Sequence, residues 1–275
     1  MYYDFFKSIG GGVKVNIYIM VDAEGISGIF DCEQVMSSGS RYSEGRELMV
    51  RDINACVEAC KEAGAKKVYV RDCHANGTNV IWSKLSSLAD YYIVGYTGQD
   101  RFPGLDECDG VILLGYHSMA GTAGGMLEHT MSSASVQNYW VNGQKVGEIA
   151  IDAAIVGERG KPVIMVSGDD KACREAEAFL PGVVTAEVKK GITWKGGMLL
   201  PPEKAYALIK QKTKEAILKL PHLKPFVFEK PIRLRVELTE RGILPPQYSK
   251  PYMKIIDGRT YEVEGSSMEE ALFRL

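Results

Sequence analysis

Residues 13–28 read VKVNIYIMVDAEGISG, an apolar run that ends abruptly in two acids. The run has the length and composition of a buried β-strand. Asp22 and Glu24 follow it directly, and Gly25 and Gly28 allow the backbone to turn sharply close to another group. Carboxylates at the tip of a buried strand are costly unless a positive charge lies beside them. We therefore expect Asp22 and Glu24 to hold a metal ion.

The residues that follow alternate between predicted strands and helices. Strands are expected at 67–71, 91–95, 110–116 and 163–167, and helices at 43–63, 80–88, 148–159 and 170–180. Asn142-Gly143 separates two short β-rich runs and predicts a hairpin. The alternation predicts an α/β fold, with a mostly parallel sheet flanked by helices in a three-layer α/β/α arrangement.

The last third of the chain has a different pattern. A helix expected at 202–220 is followed by a connection that contains three prolines. Residues 232–238 alternate apolar with charged side chains, as a strand with one exposed face does. We predict an α/β metal-binding catalytic domain at 13–185, a smaller C-terminal α+β domain at 186–275, and an N-terminal tail at 1–12.

Composition limits the classes of function. The chain has 275 residues, of which 45% are hydrophobic and 25% charged, and a formal net charge of -2. It contains no basic block that would indicate nucleic acid or an anionic membrane as a partner. No apolar run reaches the roughly 20 residues that cross a bilayer, and the N-terminus lacks a signal-peptide pattern. Six cysteines without a structural-zinc spacing are expected to be reduced. We expect a cytoplasmic protein.

Polar side chains also follow two later strands. Asp72 and His74 come after the second predicted strand, and His117 follows the strand at 110–116. Because the carboxyl ends of parallel strands meet at one edge of a sheet, these side chains are expected to cluster with the two acids of the first strand. Carboxylates with imidazoles suit zinc, manganese or iron better than calcium. Asp72 is expected to orient the ring of a nearby histidine.

Other polar residues are ambiguous from the residues alone. His129 ends a flexible, glycine-rich loop, which suits a general acid or base, or a donor to a developing oxyanion, better than a rigid ligand. Any of the histidines taken singly is more simply a capped or partly buried side chain. Glu148 and the pair Asp169-Asp170 open predicted helices, where first-turn and N-cap acids are the better interpretation. For Asp169-Asp170 the alternative is a site for the amine of a substrate. His222 is interpreted as a surface residue.

Six short segments are specific when taken together. They are Val21–Gly28 (VDAEGISG), Arg71–His74 (RDCH), Leu114–His117 (LGYH), Glu128–Met131 (EHTM), Val146–Glu148 (VGE) and Ser167–Asp170 (SGDD). In combination they resemble the zinc-dependent D-aminopeptidase family, self-compartmentalising metallopeptidases often encoded with dipeptide-transport genes. The resemblance extends from about Lys14 to the C-terminus, and it is loose in the C-terminal part.

This resemblance implies two zinc ions per subunit, with Asp22 bridging them. The other ligands would be Glu24 and His74 at one ion, and His117 and Glu148 at the other. His129 corresponds to the catalytic histidine of the family. The implied reaction is attack by a hydroxide shared by both ions on the carbonyl of an N-terminal D-amino acid, of the D-Ala type, in short peptides or amides. Family members form homodecamers of two stacked pentamers, which is the only basis for expecting a decamer here.

Two other functions remain compatible with the residues. One is a non-catalytic, metal-stabilised protein that binds small peptides. The other is a different metal-dependent amidase or a phosphoesterase, although the sequence has no phosphate-cradling glycine loop with an adjacent lysine. For the peptidase, the expected partner is a small peptide with a free N-terminal amine, and neither nucleic acid nor membrane.

Overall fold

The computed structural model describes residues 14–248 and 250–275, so the predicted N-terminal tail lies outside the described residues. The strands are β1 (Asn16–Val21), β2 (Lys67–Asp72), β3 (Tyr91–Ile93), β4 (Gly110–Leu114), β5 (Val136–Val141), β6 (Gln144–Val146), β7 (Val163–Asp169), β8 (Val184–Thr193), β9 (Gly196–Leu199), β10 (Ile232–Leu238), β11 (Met253–Ile255) and β12 (Thr260–Gly265). The α-helices are α1 (Tyr42–Glu62), α2 (Glu148–Glu158), α3 (Asp170–Phe179), α4 (Pro202–Lys219) and α5 (Met268–Phe273).

The larger sheet has seven strands in the order β3-β2-β1-β4-β7-β8-β9. Six of them are parallel, and only β9 runs antiparallel, against β8. In β1, Val21 lies opposite Asp72 of β2 on one side and opposite Leu114 of β4 on the other. The carboxyl ends of these three strands are therefore level, and the residues that follow them lie side by side.

Both faces of this sheet are covered by helices. Ile17 and Ile19 of β1 pack into one apolar cluster with residues of α1 and α4. Tyr18 and Met20, which point to the opposite face, pack into a second cluster with residues of α2 and α3. A strand buried on both faces reads as a continuous apolar run, which is why β1 was recognisable in the sequence. The predicted mostly parallel sheet flanked by helices is confirmed.

A second, antiparallel sheet has the order β11-β12-β10-β5-β6. The inward residues of β10 belong to the same apolar cluster as α2. Residues 148–157 of α2 are all buried, as expected for a helix covered by a sheet on each side. The division of the chain into two domains near residue 185 stays a prediction. Each of the two sheets contains strands from both sides of this boundary. β8 and β9 extend the parallel sheet, whereas β5 and β6 pair into the antiparallel one.

One predicted helix is wrong. Val80–Leu88 forms only a single 3-10 turn at Trp82–Lys84. Side chains of α1 bind the backbone groups that a helix would need. Arg46 donates hydrogen bonds to the carbonyls of Asn79 and Val80, and Asn54 donates to the carbonyl of Lys84. Tertiary contacts therefore override a short apolar pattern in this segment.

All six cysteines are free thiols, as predicted. None of the helices in the described part of the chain is long and apolar enough to cross a bilayer.

Replacing Ile112 by alanine tests the central position of β4. Ile112 is fully buried in the parallel sheet, so its truncation leaves a cavity and is expected to lower the free energy of unfolding by about 2–5 kcal/mol. The matched control is Ile243→Ala, at a side chain that is 50% exposed, which is expected to cost much less. Urea unfolding followed by circular dichroism measures both. Equal losses would contradict the assignment of β4 to the core.

Candidate active site

The acids after β1 are held against the end of β4 by backbone contacts. Asp22 donates its amide hydrogen to the carbonyl of Leu114, with 2.9 Å between nitrogen and oxygen, and Gly25 donates to that of Gly115 at 2.8 Å. A Cβ at position 25 would lie 1.9 Å from the Tyr116 carbonyl oxygen, so only glycine fits there. The turn at 22–25 therefore places both carboxylates beside residues 115–118, which follow β4.

One group of side chains comprises Asp22, Glu24 and His74. The Nδ1 atom of His74 lies 3.0 Å from Oδ1 of Asp22 and 3.2 Å from Oε2 of Glu24. Its other ring nitrogen, Nε2, lies 3.1 Å from the carbonyl oxygen of Val35. That carbonyl can only accept, so Nε2 carries the hydrogen and Nδ1 faces the acids as a potential ligand.

A second group comprises His117, His129 and Glu148. The Nε2 atom of His117 lies 3.3 Å from Oε1 of Glu148 and 3.3 Å from Oδ2 of Asp22. His129 stacks on His117 with ring centroids 4.1 Å apart, and its Nε2 is 3.8 Å from Glu148. The Nδ1 atoms of the two rings face the carbonyls of Ser118 and Leu127, both at 3.0 Å. Both Nε2 atoms are therefore directed at the carboxylates.

Asp22 joins the two groups. Its Oδ1 faces His74 and its Oδ2 faces His117, so each oxygen belongs to a different group. The structure thus brings together all six side chains that the sequence and the family resemblance selected. Asp22, Glu24, His117 and Glu148 are buried, and the two remaining histidines are nearly so.

These residues fit metal ions. In each group the potential ligand atoms lie within 4.8 Å of one another. The close pairs, at 3.0–3.3 Å, match the separation of about 3.4 Å between ligands that each lie about 2.1 Å from a tetrahedral ion such as zinc. Within the described residues, Oε2 of Glu24 and Nε2 of His117 are buried without a hydrogen-bond partner. Buried polar atoms of this kind require a partner, and a cation supplies it.

The electrostatics of the cluster favour positive charge at its centre. Burial raises the pKa of the Asp22 carboxyl, but the facing imidazoles of His117 and His74 hold it well below its ordinary value. Burial also raises the pKa of Glu148, but the facing imidazole of His117 holds it below its ordinary value. Burial lowers the pKa of His74, but the charge of Glu24 and the hydrogen bond with Asp22 hold it well above its ordinary value.

The loop that carries His129 is anchored on both sides, rather than free as its glycines suggested. Met126 donates its amide hydrogen to the Asp169 carboxylate at 2.8 Å, and Leu127 donates to the carbonyl of Trp194 at 2.9 Å. After the histidine, Met131 donates to Oε1 of Glu148 at 2.7 Å. The position of the His129 ring is therefore fixed by the backbone before any substrate arrives.

Three comparisons place the chain among known proteins. Residues 15–275 match the peptidase M55 family, described as D-aminopeptidase. The chain is 35% identical over 212 residues, 77% of each chain, to a D-aminopeptidase of Bacillus subtilis (strain 168). It also superimposes on the solved Zn-dependent D-aminopeptidase DppA from Bacillus subtilis, a self-compartmentalizing protease, with a TM-score of 0.87, 33% identity and 94% of both chains covered.

The chain belongs to the D-aminopeptidase family. The predicted enzyme class, a metallopeptidase, is thereby confirmed, and the alternative of a non-catalytic binding protein is set aside. The segments from Val21–Gly28 to Ser167–Asp170 were thus sufficient to recognise the family from the sequence.

Some neighbouring residues of this D-aminopeptidase differ from expectation. Among the described residues, Asp72 makes no hydrogen bond to a histidine ring. It accepts hydrogen bonds from the backbone amide and the side chain of Asn79, whose side chain also donates to the carbonyl of His74. Asp72 therefore fixes the loop at residues 74–79, and it does not orient the ring of a histidine. Asp169 is the N-cap of α3, as predicted, and His222 is exposed.

A cavity of about 660 Å³ opens beside the two groups. Asp22, Glu24 and Glu148 lie on its wall, with His74 and His129. Trp194 and Arg101 also line it, and neither was selected from the sequence. Both lie in loops or turns without a motif, so their positions depend on how distant segments fold together. The volume suits a small peptide-sized ligand.

Lys189 is a buried residue that sequence analysis missed. Its Nζ donates hydrogen bonds to the carbonyls of Glu24 (2.5 Å), Ile26 (2.9 Å) and Ile29 (2.7 Å). Burial lowers its pKa to about 8, so the ammonium still predominates at neutral pH. Lys189 therefore ties the segment that carries Glu24 to β8. In the sequence, Lys189 stands beside Lys190 in an alternating strand pattern. Nothing in that pattern indicates that the Lys189 side chain is buried.

Lys189→Met keeps most of the side-chain volume and removes the three hydrogen bonds. We expect it to lower the free energy of unfolding by about 2–4 kcal/mol, because buried carbonyls lose their donor. The matched control is Lys190→Met, since Lys190 is exposed and pairs only loosely with Glu187, at 3.4 Å. Urea unfolding measures both variants. If both unfold like the unmodified chain, the three hydrogen bonds do not hold the segment.

Proposed function

We propose that this D-aminopeptidase holds two zinc ions per subunit and removes N-terminal D-amino acids, of the D-Ala type, from short peptides. The observation that carries the proposal is the position of Asp22, whose two carboxylate oxygens face two separate groups of ligand atoms. A carboxylate in this position can bridge two ions, and paired ions are a common arrangement in aminopeptidases.

The proposed ligands are the side chains of the two groups. Glu24 and His74 would complete the site at one ion, and His117 and Glu148 the site at the other, with Asp22 shared. Support comes from the hydrogen bonds of His74 and His117 to backbone carbonyls, which leave one nitrogen of each ring free toward the carboxylates. The Bacillus subtilis relative is described as Zn-dependent, and the same ligand types suit zinc here.

Zinc held there would polarise the scissile carbonyl and lower the pKa of a water molecule toward neutrality. The protein's own part is to place substrate and proton carriers around that point. The three acids of the site, Asp22, Glu24 and Glu148, are at most 8% exposed, so little bulk water reaches the ligand atoms.

His129 is the proposed catalytic histidine. Its Nδ1 is fixed by the carbonyl of Leu127, so Nε2 is the atom that can exchange a proton in the cavity. From there it can donate to the oxyanion that develops on the scissile carbonyl or to the leaving amine. Stacking on the His117 ring holds the His129 ring beside the proposed metal ligands, and His129 itself is not one of them.

We also propose that the chain assembles as a homo-oligomer, a decamer of two stacked pentamers, in the cytoplasm. The Bacillus subtilis neighbour is described as self-compartmentalizing. Large apolar side chains on the surface of one chain, such as Trp82 at 72% and Tyr96 at 91% exposure, support association with other copies. Six free cysteines are in keeping with a reducing compartment.

Two alanine variants test the proposed roles. His129→Ala is expected to keep its zinc and to lower kcat by about 10²- to 10⁴-fold, since it removes a proton carrier. Asp22→Ala is expected to lose both zinc and activity, because each ion loses a ligand. The control is His222→Ala, which removes an exposed histidine that does not line the cavity. Zinc content by plasma emission spectrometry is compared with hydrolysis of D-alanyl-D-alanine.

The substrate is screened in the same experiment with D- and L-amino-acid amides, dipeptides and a phosphoester, each with zinc or manganese. Full activity of either variant would refute the assigned roles. Hydrolysis of the phosphoester or of an L-peptide alone would replace the proposed substrate while leaving the metal site in place.

A further inference from the structure

A second cavity, of about 320 Å³, lies beside the loop that follows His74. Residues 75–77, the segment 95–98 and the end of α5 form much of its wall, together with Arg71 at the end of β2. We call it the Arg71 cavity. The proposed reaction makes no use of it or of Arg71.

The Arg71 side chain points to the face of the sheet on which α5 packs. Successive side chains of a strand alternate between faces, so Tyr69 and Arg71 share one face of β2. Tyr69 belongs to the apolar cluster that includes residues of α5. Leu272 of α5 packs against that cluster and also lines the cavity. The guanidinium is therefore on the side of the sheet where the Arg71 cavity lies.

This guanidinium has no partner in the protein. Its Nε and Nη1 atoms are excluded from solvent and make no hydrogen bond within residues 14–248 and 250–275. Nη2 is not among the solvent-excluded atoms, so it is the atom that a ligand can reach. Cationic donors without an acceptor are costly in the interior of a protein. The charge is delocalised over the three nitrogens, so an anion at Nη2 compensates the whole group.

The two acids on the cavity wall have other partners. Asp72 accepts three hydrogen bonds from residues 79–80. Asp100 pairs with Arg159, with 2.8 Å between nitrogen and oxygen. Neither carboxylate therefore compensates the charge of Arg71.

The rest of the wall offers donors. The backbone amides of residues 96–98, which line the cavity, make no hydrogen bond to another described residue. The second arginine on the wall, Arg101, is already paired with Asp152. The cavity thus presents an unpaired positive charge and N–H groups, a combination that favours an anion with oxygen acceptors.

The Arg71 cavity shares part of its wall with the cavity of the candidate active site. Cys73, Ala75 and Asn76 line both of them. These residues flank His74, so a ligand in the Arg71 cavity contacts the loop that carries this histidine.

We propose that the Arg71 cavity is a binding site for a small oxyanion, a carboxylate or a phosphate group held by Nη2 of Arg71. Arginine binds both groups through charge-assisted hydrogen bonds. The site is separate from the metal ligands, so the proposal goes beyond the proposed function and does not depend on it. The bound anion compensates the charge of Arg71 and stabilises the loop that carries His74.

Isothermal titration calorimetry of the zinc-loaded full chain tests this site with two probes, inorganic phosphate and acetate, in a buffer of low salt. At least one probe is expected to bind once per chain with a Kd of about 0.1–1 mM, as expected for two charge-assisted hydrogen bonds. Arg71→Met keeps much of the side-chain volume and removes the donors, and it is expected to raise this Kd at least about tenfold. The probe that binds more tightly identifies the ligand group as phosphate or carboxylate.

Two control variants separate this site from other positive charges. Arg233→Met removes an arginine that pairs with Glu264 and does not line the Arg71 cavity, so it should keep the Kd of the unmodified chain. Asp22→Ala, which is expected to lose its zinc, should keep it as well. Binding that is lost in Asp22→Ala but unchanged in Arg71→Met belongs to zinc and overturns the proposal. The absence of binding by both probes also overturns it.

Urea unfolding in the same buffer gives an independent measurement. Without either probe, Arg71→Met is expected to unfold at the same or a higher urea concentration than the unmodified chain, because it removes an unpaired charge. With about 20 mM of the tighter probe, well above the expected Kd, only the unmodified chain is expected to gain stability. If Arg71→Met unfolds at a clearly lower urea concentration without probe, Arg71 stabilises the fold through contacts of its own, and the proposal fails.

Discussion

The rest of the structure depends on one buried carboxylate, that of Asp22, which two imidazoles share. A buried carboxylate is tolerated only where positive charge and hydrogen-bond donors surround it. The parallel sheet supplies this environment, because β1 ends between β2 and β4 and the polar residues after all three strands meet at one level. The fold can thus be understood as a scaffold that brings His74 and His117 to opposite oxygens of the same side chain.

The orientation of the side chains in the site is set by groups outside it. Each of three histidine rings has one nitrogen fixed by a backbone carbonyl, so the orientation of the other nitrogen is set by the main chain. Lys189 fixes the segment after Glu24, and the N-cap Asp169 fixes the loop before His129. Preorganisation of this kind reduces the rearrangement required when charge develops in a reaction.

The sequence was informative where a local pattern carries the structure. Apolar runs followed directly by Asp22, Glu24, His74 and His117 predicted both the parallel sheet and the clustering at its edge. Glu148 could not be chosen in this way, since a first-turn glutamate looks the same whether or not it is a ligand, and only the family resemblance selected it. Lys189 and Arg101 were missed because their roles arise from contacts between distant segments. The helix expected at 80–88 failed for the same reason, since side chains of α1 bind its backbone groups.

Whether Asp22 bridges two zinc ions is tested by X-ray diffraction from crystals of the zinc-loaded protein, with anomalous data collected at the zinc absorption edge. Bridging by Asp22 predicts two anomalous peaks about 3.5–4 Å apart, with one of its carboxylate oxygens about 2 Å from each. A single peak, or two peaks of which only one contacts Asp22, would contradict it.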